Sequence, residues 1–125
     1  MLLNRGEWSG VRILSPQTVE AIVSPHRVGM YDHTFRHVMD WALFFIVNSA
    51  RYGRDTVPYG FGPHASDRTF GHAGHQSTVA FADADNDLVV ALVCNGMPGE
   101  AKHHVRMREI LEAIYEDLGL APRSA

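Results

Sequence analysis

Disulfides, basic clusters and membrane-length apolar runs are all missing from this sequence. Cys94 is the only cysteine among 125 residues, so no disulfide can form within the chain. Lys102 is the only lysine, the net charge is -3, and no cluster of basic residues marks a nucleic-acid site. The apolar run from 41 to 47 is far shorter than a membrane span. We therefore expect neither a nucleic-acid nor a membrane partner.

The length allows one domain, or a piece of one, over residues 1–125. A hydrophobic share of 46% and a charged share of 20% are ordinary for a globular protein with a real core. No signal peptide is visible, because Met1-Leu2-Leu3 runs directly into Asn4-Arg5-Gly6. If Met1 is the true start, a cytoplasmic location is expected.

The motifs of two common types of serine hydrolase are also missing. None of the serines stands in Gly-x-Ser-x-Gly or Ser-x-x-Lys; they are Ser9, Ser15, Ser24, Ser49, Ser66, Ser77 and Ser124. A complete catalytic apparatus of either type is therefore absent from these residues.

The histidine count first raises the question of a metal site. There are eight histidines, but the local pairs His33/His37 and His72/His75 each supply only half of the ligands that zinc needs. No His-Glu-x-x-His motif occurs. We therefore expect the histidines to be scattered surface side chains, and we expect neither a metal nor a cofactor.

An aspartate-rich turn over residues 83–87 resembles the opening of a calcium loop. The sixth position of such a loop should be glycine and is Leu88, and the twelfth should be glutamate and is Cys94. We therefore expect an ordinary solvated hairpin turn.

The first half of the chain gives a weak pattern of elements. Ser15 can cap a helix that starts at Pro16 and ends before Pro25. Residues 26–40 are polar and lack a clear period, which predicts mostly loop. The aromatic and β-branched run 41–48 predicts a strand, and residues 59–62 predict a glycine-interrupted extended segment.

The second half gives a stronger pattern. Apolar segments 76–82 and 88–93 on either side of the aspartate turn predict an antiparallel hairpin. A helix is predicted over residues 99–118, ended by Gly119 and Pro122. Its expected apolar stripe is Met107, Ile110, Leu111, Ile114 and Leu118, with Glu109, Glu112, Glu116 and Asp117 facing away.

Residues 70–83 hold the best candidate site. His72 stands between Gly71 and Gly74, where the missing Cβ atoms let the backbone approach another group closely. An imidazole in this position can face a ligand. It can equally be an ordinary surface side chain at the entrance of a strand.

Several segments together form a recognisable order along the chain: Met1–Glu7, Gly10–Val19, Tyr59–Gly62, Phe70–Gly74 with Ser77 and Phe81–Asp83, and Leu88–Gly96 with the closing helix. This order resembles the serine β-lactamase and penicillin-binding-protein-like hydrolases, most of all the class C-type esterases and D-aminopeptidase relatives. In those proteins His-x-Gly stands in the third motif where β-lactamases have Lys-Thr-Gly. The family's nucleophile motif, Ser-x-x-Lys, and its second motif lie upstream of everything present. The resemblance is thus to the C-terminal third of such an enzyme.

The resemblance implies a few site residues. His72 would orient substrate or influence the base of the nucleophile, Gly74 would let the strand approach the acyl group, and the backbone N–H of His75 would be an oxyanion donor. His72, Ala73 and Gln76 would contact substrate. Departures from the family pattern are Arg5, Phe44, and the bulk of His75 and Gln76 where glycines are common.

The leading hypothesis is a C-terminal fragment of a β-lactamase-related serine hydrolase, inactive alone. Its fold would be α/β (α+β), an antiparallel sheet with a C-terminal helix packed on it. If joined to the missing part, it would act on a small-molecule ester or amide. The alternatives are a non-catalytic module that binds a partner or forms a homo-oligomer through an exposed sheet, and a small histidine metal-binding protein.

Overall fold

Most of the chain is arranged around one antiparallel sheet whose six strands follow each other in chain order. A computed structural model describes residues 1–122, so Ser124 lies outside the described residues. The strands are β1 Glu7–Trp8, β2 Val11–Arg12, β3 Arg27–Asp32, β4 His37–Trp41, β5 Ile46–Val47, β6 Phe70–Gly74, β7 Thr78–Asp83 and β8 Leu88–Val93. The helices are α1 Pro16–Val23 and α2 Glu100–Asp117, with a short 3-10 turn at Ala50–Tyr52. The predicted antiparallel sheet with a C-terminal helix is confirmed.

The first residues form a turn with the hydrogen bonds that commonly end a helix. The N–H of Gly6 bonds to the carbonyl of Met1 and the N–H of Arg5 to that of Leu2, which is the Schellman pattern. Arg5 and Gly6 are both left-handed, at φ 50° and 93°. Gly6 is still required, since a Cβ there would lie 2.2 Å from the carbonyl oxygen of Leu14.

Helix α1 starts as its sequence predicts. The Ser15 hydroxyl accepts a 3.1 Å hydrogen bond from the N–H of Thr18, and Pro16 occupies the first helical position. Ahead of it, β1 and β2 form a small separate ribbon.

Residues 26–40 were predicted to be mostly loop, which is wrong. They form most of the β3–β4 hairpin at one edge of the sheet. The register shifts between Arg27 and Met30, so the alternation of side chains that signals a strand is broken. The Asp32 carboxylate accepts bonds from the N–H groups of Thr34 and Phe35 and so holds the turn.

The predicted strand over 41–48 is also only partly correct. Trp41 ends β4, the chain reverses, and β5 contains only Ile46 and Val47. Leu43 and Phe44 lie at the tip of the reversal, with 56% and 68% of their surface exposed. An apolar composition alone does not distinguish a turn with exposed apolar residues from a continuous strand.

Residues 59–62 do not belong to a strand. Tyr59 and Gly62 have φ values of 53° and 88°, which bend the backbone away from an extended course. Phe61 between them is 1% exposed. A Cβ on Gly62 would lie 2.8 Å from the Cβ of Leu111, so this segment runs directly against α2.

The central hairpin of β7 and β8 is confirmed, with the strand after the turn at Leu88–Val93 as predicted and β7 shifted to Thr78–Asp83. Register pairs Phe81 with Val90 and Val79 with Leu92, placing these side chains on one face. On that face α2 packs through Met107. The opposite face carries the small side chains of Thr78, Ala80 and Ala82. Small side chains of this kind would allow a helix to pack closely, but α2 does not cover this face.

Helix α2 was predicted with nearly correct ends but a shifted buried stripe. Its buried residues are His103, Met107, Leu111 and Tyr115, spaced four apart. Leu118 is instead 57% exposed. Glu109 and Asp117 are exposed as expected, whereas Glu112 and Glu116 are half-buried. No helix in residues 1–122 combines the length and apolarity needed to cross a membrane.

The aspartate turn is not wholly solvated. Asp85 and Asp87 are exposed, but Asp83 is 0% exposed. Its carboxylate accepts hydrogen bonds from the hydroxyls of Ser66 and Tyr115, at 2.5 Å and 2.6 Å. A buried carboxylate needs such donors because water is excluded. Asp83 is therefore a structural residue that joins the 62–69 loop, the sheet and α2.

Candidate active site

The imidazole of His72 lies on the face of the sheet that α2 does not cover. In the strand register His72 pairs with Ala80, and Ala80 with Ala91, so the three side chains share a face. All three are exposed. Helix α2 packs on the opposite face, against Val79 and Phe81.

The hydrogen bond of His72 decides which ring nitrogen can meet a ligand. Its Nδ1 donates to the carbonyl oxygen of Ala73 at 2.8 Å. Because that bond places the proton on Nδ1, the neutral ring presents Nε2 as an acceptor. His72 can thus accept a hydrogen bond from a hydroxyl or an ammonium group at this face.

An aromatic side chain that the sequence did not suggest stands beside His72. The ring of Trp41 lies 5.9 Å from the imidazole, and the guanidinium of Arg27 lies over the indole at 5.4 Å. Arg27 is also paired with Asp32. The contact between Trp41 and His72 joins β4 and β6, which are not neighbours in the sheet, so no local pattern predicts it.

The glycines of β6 are required by close packing between strands. A Cβ on Gly71 would lie 2.3 Å from the carbonyl oxygen of Ala80 and 2.5 Å from the Cβ of Phe81. At Gly74 it would lie 2.2 Å from the Oγ1 of Thr78. The glycine-flanked pattern therefore serves the β6–β7 pairing.

The turn after β6 is tied to the start of α2. Gln76 is left-handed at φ 55°, and its side-chain oxygen accepts a 2.9 Å bond from the N–H of Gly99. Its side-chain nitrogen donates to Glu100 at 2.7 Å, and Arg106 donates to its backbone carbonyl at 2.6 Å. The turn that carries the backbone of His75 is therefore held against the start of α2. The expected substrate contact of Gln76 stays a prediction, beside this second role as an anchor.

Ala73 points away from His72. It pairs with Val79 on the α2 side and lines a cavity of about 40 Å³ between the sheet and α2. Tyr59 and His103 line the same cavity. Burial, together with Glu100, raises the pKa of Tyr59, whereas burial and the nearby Arg106 lower the pKa of His103. These groups are therefore neutral at pH 7 and do not add charge to the His72 face.

A groove of about 310 Å³ lies on the uncovered face. Its apolar lining includes Phe45, Phe70, Ala80 and Val89. Phe70 pairs with Ala82 in the same register that places His72 opposite Ala80, so groove and imidazole are on one side of the sheet. The structure therefore brings together His72, Gly74 and the turn at 75–77, next to an open apolar surface.

Among residues 1–122, neither the His33/His37 pair nor the His72/His75 pair belongs to a group of three or more potential metal ligands. The group in those residues whose ligand atoms converge is His64, Glu112 and Glu116.

Residues 8–115 match the family described as Beta-lactamase. A curated relative, N-acetylmuramyl-L-alanine amidase of Bacillus subtilis (strain 168), is 28% identical over 95 residues, which is 76% of this chain and 19% of that protein. The chain therefore spans about a fifth of that relative.

Solved structures show the same fold. A beta-lactamase from Mycobacterium bovis matches with a TM-score of 0.69 and 19% identity, covering 93% of this chain and 40% of that one. A penicillin-binding protein homologue from Caulobacter crescentus matches with a TM-score of 0.61 and 21% identity, covering 87% and 28%. EstA from Arthrobacter nitroguajacolicus matches with a TM-score of 0.50 and 20% identity, covering 86% and 28%. In each case the matching region is less than half of the larger chain.

Proposed function

Because the chain belongs to the Beta-lactamase family, we propose that it is the C-terminal part of a serine hydrolase that cleaves a small-molecule ester or amide through an acyl-enzyme. The observation that carries the proposal is the position of His72, exposed on the sheet face opposite α2 and next to the turn at 75–77. This face is the place where a lobe that carries a nucleophile can meet the strand.

The proposed chemistry divides between the two parts. A serine hydroxyl from the upstream part attacks the carbonyl carbon, and the electron pair of the carbonyl moves to its oxygen. The backbone N–H of His75 and that of the nucleophile donate to this oxyanion, a contribution on the order of 10²–10³ in rate for one donor. Collapse expels the alcohol or amine, which takes the proton that the serine hydroxyl gave up to a neighbouring base, and water then hydrolyses the acyl-enzyme to the acid and the free serine.

His72, on strand β6, would act through a hydrogen bond. Its Nε2 is the nitrogen left free by the bond between Nδ1 and the Ala73 carbonyl. From that position it accepts a hydrogen bond from the substrate or from the group that activates the nucleophile. It positions these groups and forms no covalent bond.

The uncovered sheet face supports an upstream part. It has an apolar groove with Phe45 and Phe70, a surface suited to burial against another lobe. A nucleic-acid or membrane partner is not part of the proposal.

The first test uses the purified 125-residue chain. We expect no burst of product with a chromogenic ester and no covalent label from a serine-directed fluorophosphonate, because the chain lacks the nucleophile motif. Stoichiometric labelling of a serine in this chain would overturn the proposed division of the site.

The second test reads the coding DNA upstream of Met1 for an in-frame Ser-x-x-Lys and, where it is found, expresses the extended protein. Replacing His72 by Ala should then lower kcat/KM for an ester on the order of 10²-fold. His75→Ala is the matched control, because the proposed donor is its backbone N–H and its side chain is exposed. Equal losses in the two variants, or none in His72→Ala, would contradict the assigned roles.

The open sheet face favours a second candidate function, a non-catalytic module that pairs with a second copy of itself. Val89, Ala91 and Val93 are exposed along one side of the edge strand β8. Light scattering distinguishes the cases: a stable dimer that is lost in Val89→Lys supports the module. A monomer that melts cooperatively argues against it.

A further inference from the structure

The loop at residues 62–69 is held against α2 at one point of close contact. Gly62 is left-handed at φ 88°, and a Cβ there would lie 2.8 Å from the Cβ of Leu111. This contact fixes how closely the loop packs against the helix. His64, two residues later, therefore lies beside the turn of α2 that follows Leu111.

Two carboxylates of α2 lie on the side of the helix that is next to His64. Glu112 and Glu116 are four residues apart and so share one side of the helix. One ligand atom from each of His64, Glu112 and Glu116 lies within 4.8 Å of the other two, and the three residues are half-buried. The cluster joins a loop and a helix.

The imidazole of His64 adds a separate observation. Its Nε2 is shielded from solvent and has no hydrogen-bond partner among the described residues. A shielded ring nitrogen without a partner costs free energy unless another group satisfies it. The ring lies 6.3 Å from that of Tyr115, so it is held against the helix.

We propose that His64, Glu112 and Glu116 form a zinc site. Zinc accepts imidazole nitrogen and carboxylate oxygen at about 2.0–2.2 Å, and sites with three protein ligands complete a tetrahedron with water. Ligand atoms at such distances are about 3.4 Å apart. The atoms here therefore need to move together by about an ångström for zinc to bind.

The chemistry of the donors favours zinc over the hard cations. Calcium takes six to eight oxygens and magnesium keeps a nearly octahedral oxygen shell, whereas this cluster has one nitrogen and few ligands. Two carboxylates also balance the charge of a divalent ion. The ligands must be deprotonated, so binding weakens in acid.

The site would be separate from the proposed hydrolase site. His64, Glu112 and Glu116 are associated with α2, and His72 is on the sheet face that α2 does not cover. A bound ion would link the 62–69 loop to α2 beside the bonds that join Ser66 and Tyr115 through Asp83. The proposal does not depend on the hydrolase function.

The experiment is a zinc titration of the purified, EDTA-treated and dialysed chain, followed by calorimetry and by thermal melting. We expect one zinc per chain and a melting temperature that rises with zinc concentration. His64→Gln, Glu112→Gln and Glu116→Gln should each weaken binding at least about tenfold. His33→Gln and Glu109→Gln, both at exposed positions, are the matched controls and should bind like the parent chain.

Circular dichroism on each variant establishes that it is folded before its affinity is read. A folded His64→Gln that binds zinc as tightly as the parent would overturn the site, as would controls that lose as much affinity as the three ligand variants. Equal stabilisation by calcium or magnesium at the same concentration would identify an unselective acidic patch and reject the proposal.

Discussion

The hydroxyl of Tyr115 on α2 donates a 2.6 Å hydrogen bond to the carboxylate of Asp83 at the end of β7. Both residues are 0% exposed. Asp83 also accepts bonds from Ser66 and from the side chain of Asn86. Helix, strand, loop and hairpin turn therefore meet at one buried charge, and replacing or protonating it affects all of them.

Acid should destabilise the chain through Asp83. Burial would raise the pKa of this carboxyl, but hydrogen bonds from Ser66, Tyr115 and Asn86 outweigh it and lower the pKa from 3.8 to about 2. A depressed folded-state pKa contributes stability that is complete above the unfolded value and is lost as pH falls through the folded one. We expect about 2 kcal/mol to disappear between about pH 4.5 and pH 2, measured by urea unfolding across this range.

Asp83→Asn separates this group from the other carboxylates. The variant should be less stable at pH 7 and should lose less stability on acidification than the parent chain. Asp87→Asn is the control, because Asp87 is exposed in the same turn and asparagine tolerates its left-handed φ of 49°. An Asp83→Asn variant with the parent's full acid loss would show that Asp83 is not the responsible group.

Removing the Tyr115 hydroxyl should weaken the same junction. Tyr115→Phe keeps the ring but deletes a donor to a buried charge, a loss of about 1–3 kcal/mol. The loss of this donor should also raise the pKa of Asp83, so acid destabilisation should begin at higher pH. Tyr31→Phe, on a side chain that is 52% exposed, should leave both the urea midpoint and the acid profile unchanged.

The elements that the sequence predicted well are those stabilised by local signals. Ser15 and Pro16 mark the start of α1, and Gly119 ends α2 with a left-handed φ of 70°. The central hairpin has an apolar run after a turn rich in aspartate. In each case the residues that fix the structure are neighbours in the chain, so pattern alone is informative.

The errors occur where distant contacts decide the structure. The β3 edge strand is exposed and has a register shift after Arg27, so its side chains do not alternate in polarity. The buried stripe of α2 was shifted because His103 and Tyr115 are polar in the sequence but face the core. At the candidate site, His72 and its glycines were found from the sequence, whereas Trp41 and the anchoring of Gln76 depend on residues brought together by folding.

Gly71 should be more sensitive to an added methyl group than Gly60. At Gly71 a Cβ would lie 2.3 Å from a carbonyl oxygen of the neighbouring strand, so β6 and β7 must separate. We expect Gly71→Ala to cost at least about 1–3 kcal/mol in the free energy of unfolding. At Gly60 the nearest atom to a Cβ is a methyl carbon of Val57 at 3.2 Å, a side chain that can move. If alanine at Gly71 and alanine at Gly60 lowered the free energy of unfolding in urea equally, strand spacing at Gly71 would not be the constraint.

The Gln76 side chain should stabilise the turn that carries the proposed oxyanion donor. Gln76→Ala removes its bonds to Gly99 and Glu100, and we expect a loss of about 1 kcal/mol together with faster hydrogen exchange at the Gly99 amide. Gln76→Gly removes the same bonds but suits the left-handed φ of 55°, so it separates side-chain from backbone effects.

If the side chain is the anchor, both variants should expose the Gly99 amide to exchange, and the glycine variant should unfold at a higher urea concentration than the alanine variant. Gln17→Ala, at an exposed position of α1, controls for the loss of a glutamine and should leave exchange at Gly99 unchanged. Protection of Gly99 in Gln76→Gly at the parent's level would mean that Arg106, through its bond to the carbonyl of residue 76, fixes the turn without the glutamine amide. The stability of the proposed oxyanion donor would then depend on the backbone alone.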